Sequence, residues 1–91
     1  ELDTTREYFY YVYKEFIRAI NVNGMKLIEY NVYGKRHTQL FDINKDPMEI
    51  NDLSNDSSKS EVIDDLRVKL LQAKEEYGDN VLPFSTFWEG F

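Results

Sequence analysis

The sequence predicts an α+β fold in which a four-stranded antiparallel sheet, a meander, packs against one long C-terminal helix that an aromatic tail follows. Aromatic and β-branched runs separated by turn residues fill residues 8–43, as expected for sheet strands. Apolar residues recur at helical spacing over residues 63–77. The composition, 42% hydrophobic and 15% aromatic, is that of a folding chain, and 91 residues suit a single domain spanning 1–91.

The first two strands are predicted at residues 8–13, an aromatic run, and at residues 16–22, with Lys14-Glu15 as the polar break between them. Asn23-Gly24 then predicts a type I′ hairpin turn, because both central residues of that turn need a positive φ. The Tyr-rich first strand has the residues either to stack on sugars or to fill a sheet core. We favour the core and expect this strand at an edge of the sheet.

Two further strands complete the meander, at residues 26–33 and 37–43, with a turn at Gly34-Lys35. Side chains alternate between the two faces of a strand. One face of the third strand carries Ile28, Tyr30 and Val32. The opposite face is mixed, and we expect it to be partly exposed; it carries Leu27, Glu29 and Asn31.

Residues 44–58 form a predicted turn-rich linker, and the helix is predicted at about residues 59–77. Ser58 and Glu61 have the spacing of a capping box at its start, and Gly78 stands where a left-handed C-cap is expected. The apolar stripe of the helix consists of Ile63, Leu66, Leu70, Ala73 and Tyr77.

The tail at residues 78–91 is too short to fold alone. We expect its large aromatic side chains to pack back on this domain or on a neighbour; they are Phe84, Phe87, Trp88 and Phe91.

Charge and cysteine content exclude several classes of function. The net charge of −6 argues against nucleic acid or an anionic membrane as partner, since both need a positive surface. The absence of Cys excludes disulfides, zinc–thiolate sites and thiol nucleophiles. No apolar run approaches the roughly 20 residues that span a bilayer. Because Glu1 opens the chain without an initiator Met, we expect a fragment or a processed chain.

The residues that could carry chemistry form no complete catalytic or metal set. Asp42, Asn44 and Asp46 have the opening spacing of an EF-hand loop, but Pro47 and Leu53 stand at its Gly and Glu positions. We therefore expect a strand end followed by an Asp-Pro turn, and no metal site in this chain. His37 is the only His, so it has no second imidazole with which to build a catalytic or metal site.

Cationic side chains cluster around the two predicted hairpins. Together they could grip a sulfate or carboxylate, although alternating charge on an exposed sheet face is ordinary solvation. The set comprises Arg18, Lys26, Lys35, Arg36 and His37.

Two segments resemble the C-terminal region of type I sulfatases. QLFDINKDPMEINDL, at residues 39–53, resembles the family signature LYDL-x-x-DP-x-E-x-x-NL. RAINVNGMKLI, at residues 18–28, is similar to the R-x-V-R-T-x-x-Y-K-L-I strand pair that precedes it, although Asn21 and Met25 replace the second Arg and the Tyr. The segment at residues 30–53 is close to the version found in bacterial members. With the helix and its EEYGD ending, the resemblance covers residues 6–79.

The resemblance implies a C-terminal subdomain that docks on a larger alkaline-phosphatase-like catalytic domain. In that family a Cys or Ser in a C/S-x-P/A-x-R motif becomes formylglycine beside a calcium ion, and the hydrated form attacks the sulfur of a sulfate ester. This chain has no Cys, and no Ser begins such a motif. Calcium and formylglycine are therefore implied only for a catalytic domain that this chain lacks. The parent enzyme would be periplasmic or extracellular.

The family positions that carry over are structural, and none is catalytic. Besides Lys26 they are Leu40, Phe41, Asp42, Asp46, Pro47, Glu49, Asn51 and Leu53. A loop near the hairpins could line the substrate cleft of the parent enzyme. The candidates for substrate contact are Arg18, Lys26 and His37.

Two functions from different classes remain. The first is a C-terminal sulfatase fragment that completes the catalytic domain, is not catalytic alone and, through an exposed apolar patch, self-associates. The second is a stand-alone acidic module that binds a protein or glycan and has a closed, polar surface. The resemblance favours the first. The sequence does not reveal which sulfate ester the parent enzyme cleaves.

Overall fold

A computed structural model describes residues 8–79 and 84–88 of the chain. It contains a four-stranded antiparallel sheet in the order β1-β2-β3-β4 and one long helix, which confirms the predicted α+β fold. The strands are β1 (Tyr8–Tyr13), β2 (Ile17–Val22), β3 (Met25–Val32) and β4 (Lys35–Asp42), and the helix is α1 (Ser60–Glu76). Two short 3₁₀ helices span Ser57–Lys59 and Phe84–Trp88.

Two tight hairpins set the register of the last three strands. Asn23 and Gly24 have φ values of 53° and 90°, which confirms the type I′ turn predicted there. The next turn lies at Tyr33-Gly34, with φ values of 53° and 83°, so the predicted Gly34-Lys35 turn was wrong by one residue. Gly34 occupies the second central position, and β4 therefore begins at Lys35, opposite Val32.

The connection between β1 and β2 is longer. Tyr13 pairs with Ile17, and Lys14 takes a φ of 52° between them. Phe16 donates its backbone N–H to the carbonyl of Tyr13 at 3.2 Å and so belongs to the turn. For this reason β2 begins one residue later than predicted. β1 lies at an edge of the sheet, as expected.

One face of the sheet packs against α1 and forms the main core. Ile20, Leu27 and Leu40 come from the sheet, and Ile63, Leu66 and Leu70 come from the helix. The predicted helical stripe is confirmed for these three helix residues and for Ala73, which is also buried. Fully burying one such aliphatic side chain stabilises a fold by roughly 1.5–3 kcal/mol.

The face of β3 that was predicted to be partly exposed is the one that packs against the helix. Leu27 is fully buried there, and Glu29 is only 2% exposed. The carboxylate of Glu29 is compensated because it accepts from Arg67 Nε of α1 and from Thr38 Oγ1 of β4, both at 2.7 Å. A polar residue thus occupies a core position because the helix supplies its counter-charge.

The two ends of α1 differ in how well they were predicted. The expected capping box of Ser58 and Glu61 is wrong, because a 3₁₀ turn precedes the helix and Asp56 caps that turn. Asp56 Oδ1 accepts from the backbone N–H of Ser58 at 3.0 Å. The predicted C-cap is confirmed: Gly78 has a φ of 66°, and the N–H of Asp79 reaches the carbonyl of Lys74 at 2.8 Å, as in a Schellman motif.

The second face of the sheet, called the open face below, turns away from α1. Its centre, Ala19, Ile28 and Phe41, is buried. On β1, however, the outward-facing rings are exposed, by 63% for Phe9, 45% for Tyr11 and 56% for Tyr13. The expectation that the aromatic strand fills a core was therefore wrong for these three residues.

Part of the aromatic tail packs against the described domain. Phe87 is fully buried, and Trp88 packs against the helix-side core. The Phe87 ring lies between two guanidinium groups, with its centroid 4.9 Å from Arg18 Cζ and 5.2 Å from Arg36 Cζ. The side chain of Phe84 and all of Phe91 lie outside the described residues.

Candidate functional site

The Asp-Pro turn after β4 is organised by the carboxylate of Asp46. It accepts from the backbone N–H of Ile50 at 3.0 Å and from that of Asn51 at 2.8 Å. Asp42 begins the turn, since its carbonyl accepts from the N–H of Asp46 at 2.7 Å. These carboxylates bind backbone amides, as expected for a strand end and a turn.

Glu49 links this turn to the sheet. It adopts a φ of 56°, which is uncommon for a residue with a side chain. Its carboxylate forms an ion pair with Lys26 Nζ of β3 at 3.1 Å, and the same Nζ lies 5.2 Å from the ring centroid of Tyr11. The Asp46 hydrogen bonds hold the turn in the conformation that brings Glu49 onto the open face.

The end of the signature covers the free edge of β4. The N–H of Leu53 donates to the carbonyl of Leu40 at 2.7 Å, and Asp52 Oδ1 accepts from the N–H of Leu40 at 3.0 Å. Burial opposes ionisation of Asp52, but the backbone N–H groups of Ser54 and Leu40 outweigh it and hold the pKa of its carboxyl below the ordinary value. Leu53 packs on the main core, so the signature closes an exposed strand edge.

The three residues predicted to contact substrate do not converge. Arg18 is fully buried on the helix side of the sheet. Lys26 is paired with Glu49 on the open face, and His37 is exposed on β4, opposite Tyr30. Substrate contact by Arg18, Lys26 and His37 stays a prediction.

Arg18 lies at the centre of a buried polar cluster that sequence reasoning missed. Its Nη2 donates to Asp79 Oδ1 at 3.0 Å, and its Nη1 donates to the carbonyl of Ile17 at 2.8 Å. Tyr10 also donates its hydroxyl to Asp79. Burial, followed by the hydrogen bond to the Asp79 carboxylate, raises the pKa of the Tyr10 phenol. Asp79 lies 61 residues beyond Arg18, and no local pattern connects the two.

A polar cleft of about 680 Å³ opens between β4, the turn at residues 54–57 and the start of α1. Three carboxylates, two guanidinium groups and one imidazole line it, and Glu29 is already paired with Arg67. The set comprises Glu29, Arg36, His37, Asp56, Asp64 and Arg67. Because carboxylates outnumber guanidinium groups, this set does not form a cationic site for a sulfate.

The sulfatase resemblance implies calcium for the catalytic domain only, and that expectation stays a prediction. Over residues 8–79 and 84–88, no three His, Cys, Asp or Glu side chains are grouped so that they could hold a metal ion. The same part of the chain contains no helix with the length and apolar character needed to cross a bilayer.

The most prominent surface feature is the row of β1 rings on the open face. Val32 on β3 is also exposed, as are Met48 and Ile50, the residues two positions apart that flank Glu49. Since the Glu49 carboxylate reaches Lys26, the Asp-Pro turn projects toward this face. Exposed aromatic rings beside a buried apolar centre define a candidate docking surface.

The fold, the Asp-Pro turn and the apolar open face define a small α+β domain with one sheet face left uncovered by the helix. Residues 2–76 match the family described as N-sulphoglucosamine sulphohydrolase, C-terminal, and the chain belongs to this family of sulfatase C-terminal domains. A search of curated proteins found no match. Asp79, Phe87 and Trp88 lie beyond the matched residues.

Proposed function

We propose that this chain is the non-catalytic C-terminal domain of a sulfatase and that its open face packs on the catalytic domain. The observation that carries the proposal is the row of exposed rings on β1, Phe9, Tyr11 and Tyr13, beside the buried Ala19, Ile28 and Phe41. Because the chain belongs to a family of sulfatase C-terminal domains, we infer that the catalytic domain of the same enzyme covers the open face.

The size of the exposed surface supports docking. Large aromatic side chains bury about 150–250 Å² each, so three half-exposed rings offer on the order of 300 Å². A patch of that size is comparable with the largest apolar patch of a typical soluble monomer, which is often a functional surface. The ion pair between Lys26 and Glu49 lies on the same face, so a partner that covered these two side chains would bury paired charges.

The chemistry of the parent enzyme is also part of the proposal. The family is named for a hydrolase of N-sulphoglucosamine, so we infer that the substrate is a sulfated sugar. Formylglycine and calcium would both belong to the catalytic domain, because this chain has no Cys and its described residues form no metal cluster.

Thermal unfolding of the polypeptide that carries both domains tests the docking. The double variant Phe9→Lys/Tyr13→Lys is expected to lower Tm and sulfatase activity together, because it places charges in the interface. Val68→Lys/Leu71→Lys is the matched control, since these exposed apolar residues lie on α1. Equal effects of the two pairs would refute docking through the open face.

The 91-residue chain alone gives a second test. With added calcium it is expected to show no turnover of an aryl sulfate. If aryl sulfatase activity stayed with the chain during purification, the assignment of the chain as non-catalytic would be wrong.

A further inference from the structure

We propose that a second cleft, at the hairpin end of the sheet, binds a pyranose ring that bears an anionic substituent, with Tyr33 as the stacking platform. The cleft has a volume of about 420 Å³, within the range of small-molecule sites. Its lining includes Phe16, Asn31, Tyr33, Arg36 and Thr86. The choice of a sulfated sugar as ligand rests on the proposed function, whereas the existence of the site rests on the geometry below.

The conformation of Tyr33 is the first argument. Tyr33 and Asn23 hold the same position in two type I′ turns, each followed by Gly, and each has a φ of 53°. Asn tolerates this region of φ, but a bulky aromatic residue there is an outlier. Asn is therefore a lower-energy residue than Tyr at this turn position, and the neighbouring turn has Asn23 there.

Burial of the Tyr33 ring does not offset this conformational strain. Tyr33 is 88% exposed, so its ring contributes little apolar burial to the domain. Its described ring contact is with Phe16, at 5.5 Å between centroids and an interplanar angle of 59°. A strained, exposed and oriented aromatic ring beside a cleft is characteristic of a binding position.

The polar groups of the cleft suit a sugar with an anionic group. Arg36 Nη1 donates to the carbonyl of Phe87 at 3.1 Å, and the Phe87 ring packs on its guanidinium, so Arg36 is preorganised. Asn31 Nδ2 donates to the same carbonyl at 3.0 Å. Asn31 lines the cleft, and its Oδ1 is buried and accepts no hydrogen bond within the described residues.

The ligand chemistry follows from these groups. The C–H face of a pyranose carries partial positive charge and packs on the negative face of a Tyr ring. A guanidinium binds sulfate or carboxylate with two parallel hydrogen bonds. Glu15 also lines the cleft, and its carboxylate can accept hydrogen bonds from sugar hydroxyls.

Titration of the ¹⁵N-labelled 91-residue chain with N-sulphoglucosamine, followed by NMR, tests the site. Saturable shifts are expected at the amides of Tyr33, Gly34 and Arg36. N-acetylglucosamine, which lacks the anion, and inorganic sulfate, which lacks the ring, are each expected to bind at least roughly fivefold more weakly.

Three variants keep the test decisive. Tyr33→Asn, which suits the turn and preserves the fold, is expected to weaken binding roughly five- to tenfold. Arg36→Gln is expected to abolish the preference for the sulfated sugar. Tyr11→Asn removes an exposed ring from the open face and is expected to leave binding unchanged.

Contrary outcomes overturn the proposal in distinguishable ways. Equal binding of inorganic sulfate would reduce the site to an anion contact, and unaltered binding by Tyr33→Asn would remove the stacking role. Loss of Tm in the two-domain polypeptide on Tyr33→Asn, without sugar binding by the chain, would identify the hairpin tip as part of the docking interface. None of these results depends on the open-face variants that test the docking itself.

Discussion

Arg18 and Asp79 form a buried ion pair that joins the second strand of the sheet to the residue just beyond the helix. The guanidinium and the carboxylate meet through two hydrogen bonds, from Nε at 2.5 Å and from Nη2 at 3.0 Å. Asp79 is placed by the Schellman motif at the end of α1. The pair therefore fixes the end of the helix to the sheet.

Replacing Asp79 by Asn is expected to lower the free energy of unfolding by about 3–5 kcal/mol, because it leaves a buried guanidinium without its counter-charge. Urea denaturation followed by circular dichroism measures this change. Glu49→Gln removes the charge of a partly exposed pair and is expected to cost less than about 1 kcal/mol. Similar losses for the two variants would show that the Arg18 pair contributes no more than a surface contact.

Stability is expected to fall above pH 10 through Tyr10. Its pKa is raised in the folded state from the ordinary value of 10.0, so its contribution to stability is complete below pH 10 and is lost as the pH rises further. Urea midpoints at pH 8 and pH 11 give this dependence. In Tyr10→Phe the drop between the two values is expected to be smaller, and an unchanged drop would assign the effect to other groups.

Exchange of residues between the two equivalent turns tests the strain at Tyr33. Tyr33→Asn is expected to raise the free energy of unfolding by about 1 kcal/mol, because Asn tolerates the left-handed conformation. Asn23→Tyr, the reverse change in the other turn, is expected to lower it by a similar amount. Chemical denaturation compares them, and a destabilised Tyr33→Asn would contradict the strain argument.

Removal of the Asp46 carboxylate is expected to loosen the signature turn. Asp46→Ala leaves the N–H groups of Ile50 and Asn51 without their acceptor and is expected to cost about 1–2 kcal/mol. Amide hydrogen exchange should accelerate at these two residues. Asp65→Ala, on the exposed side of α1, is the control and should change neither quantity.

Local patterns predicted those features whose physical cause is itself local. The spacing of Ile63, Leu66 and Leu70 identifies a buried helix face, because all three lie within two turns of one helix. Asn23-Gly24 identifies a type I′ turn, because the dipeptide alone favours that conformation. Family signature positions such as Asp46 were found by resemblance, and the structure gives them a role in the turn.

Features that depend on distant partners were not predictable. Glu29 has a core position because Arg67, 38 residues later, neutralises it. The Arg18 cluster depends on Asp79 and Phe87, which are distant in the sequence. For this reason the sequence indicates Arg18 as a candidate for anion or substrate contact and not as a buried, paired residue. Tyr33-Gly34 lacks the usual turn residue at its first position, so the predicted turn was displaced by one residue.

The position of Asp79 also bears on where this domain may be cut. The family match ends at residue 76, yet Arg18 depends on Asp79 and Phe87, which lie after that point. A chain shortened to the matched residues would keep every strand and the whole of α1 but would lack the carboxylate that pairs with Arg18 and the Phe87 ring that packs on its guanidinium. The described fold therefore uses side chains beyond the matched residues, and truncation at residue 76 is expected to lower the free energy of unfolding.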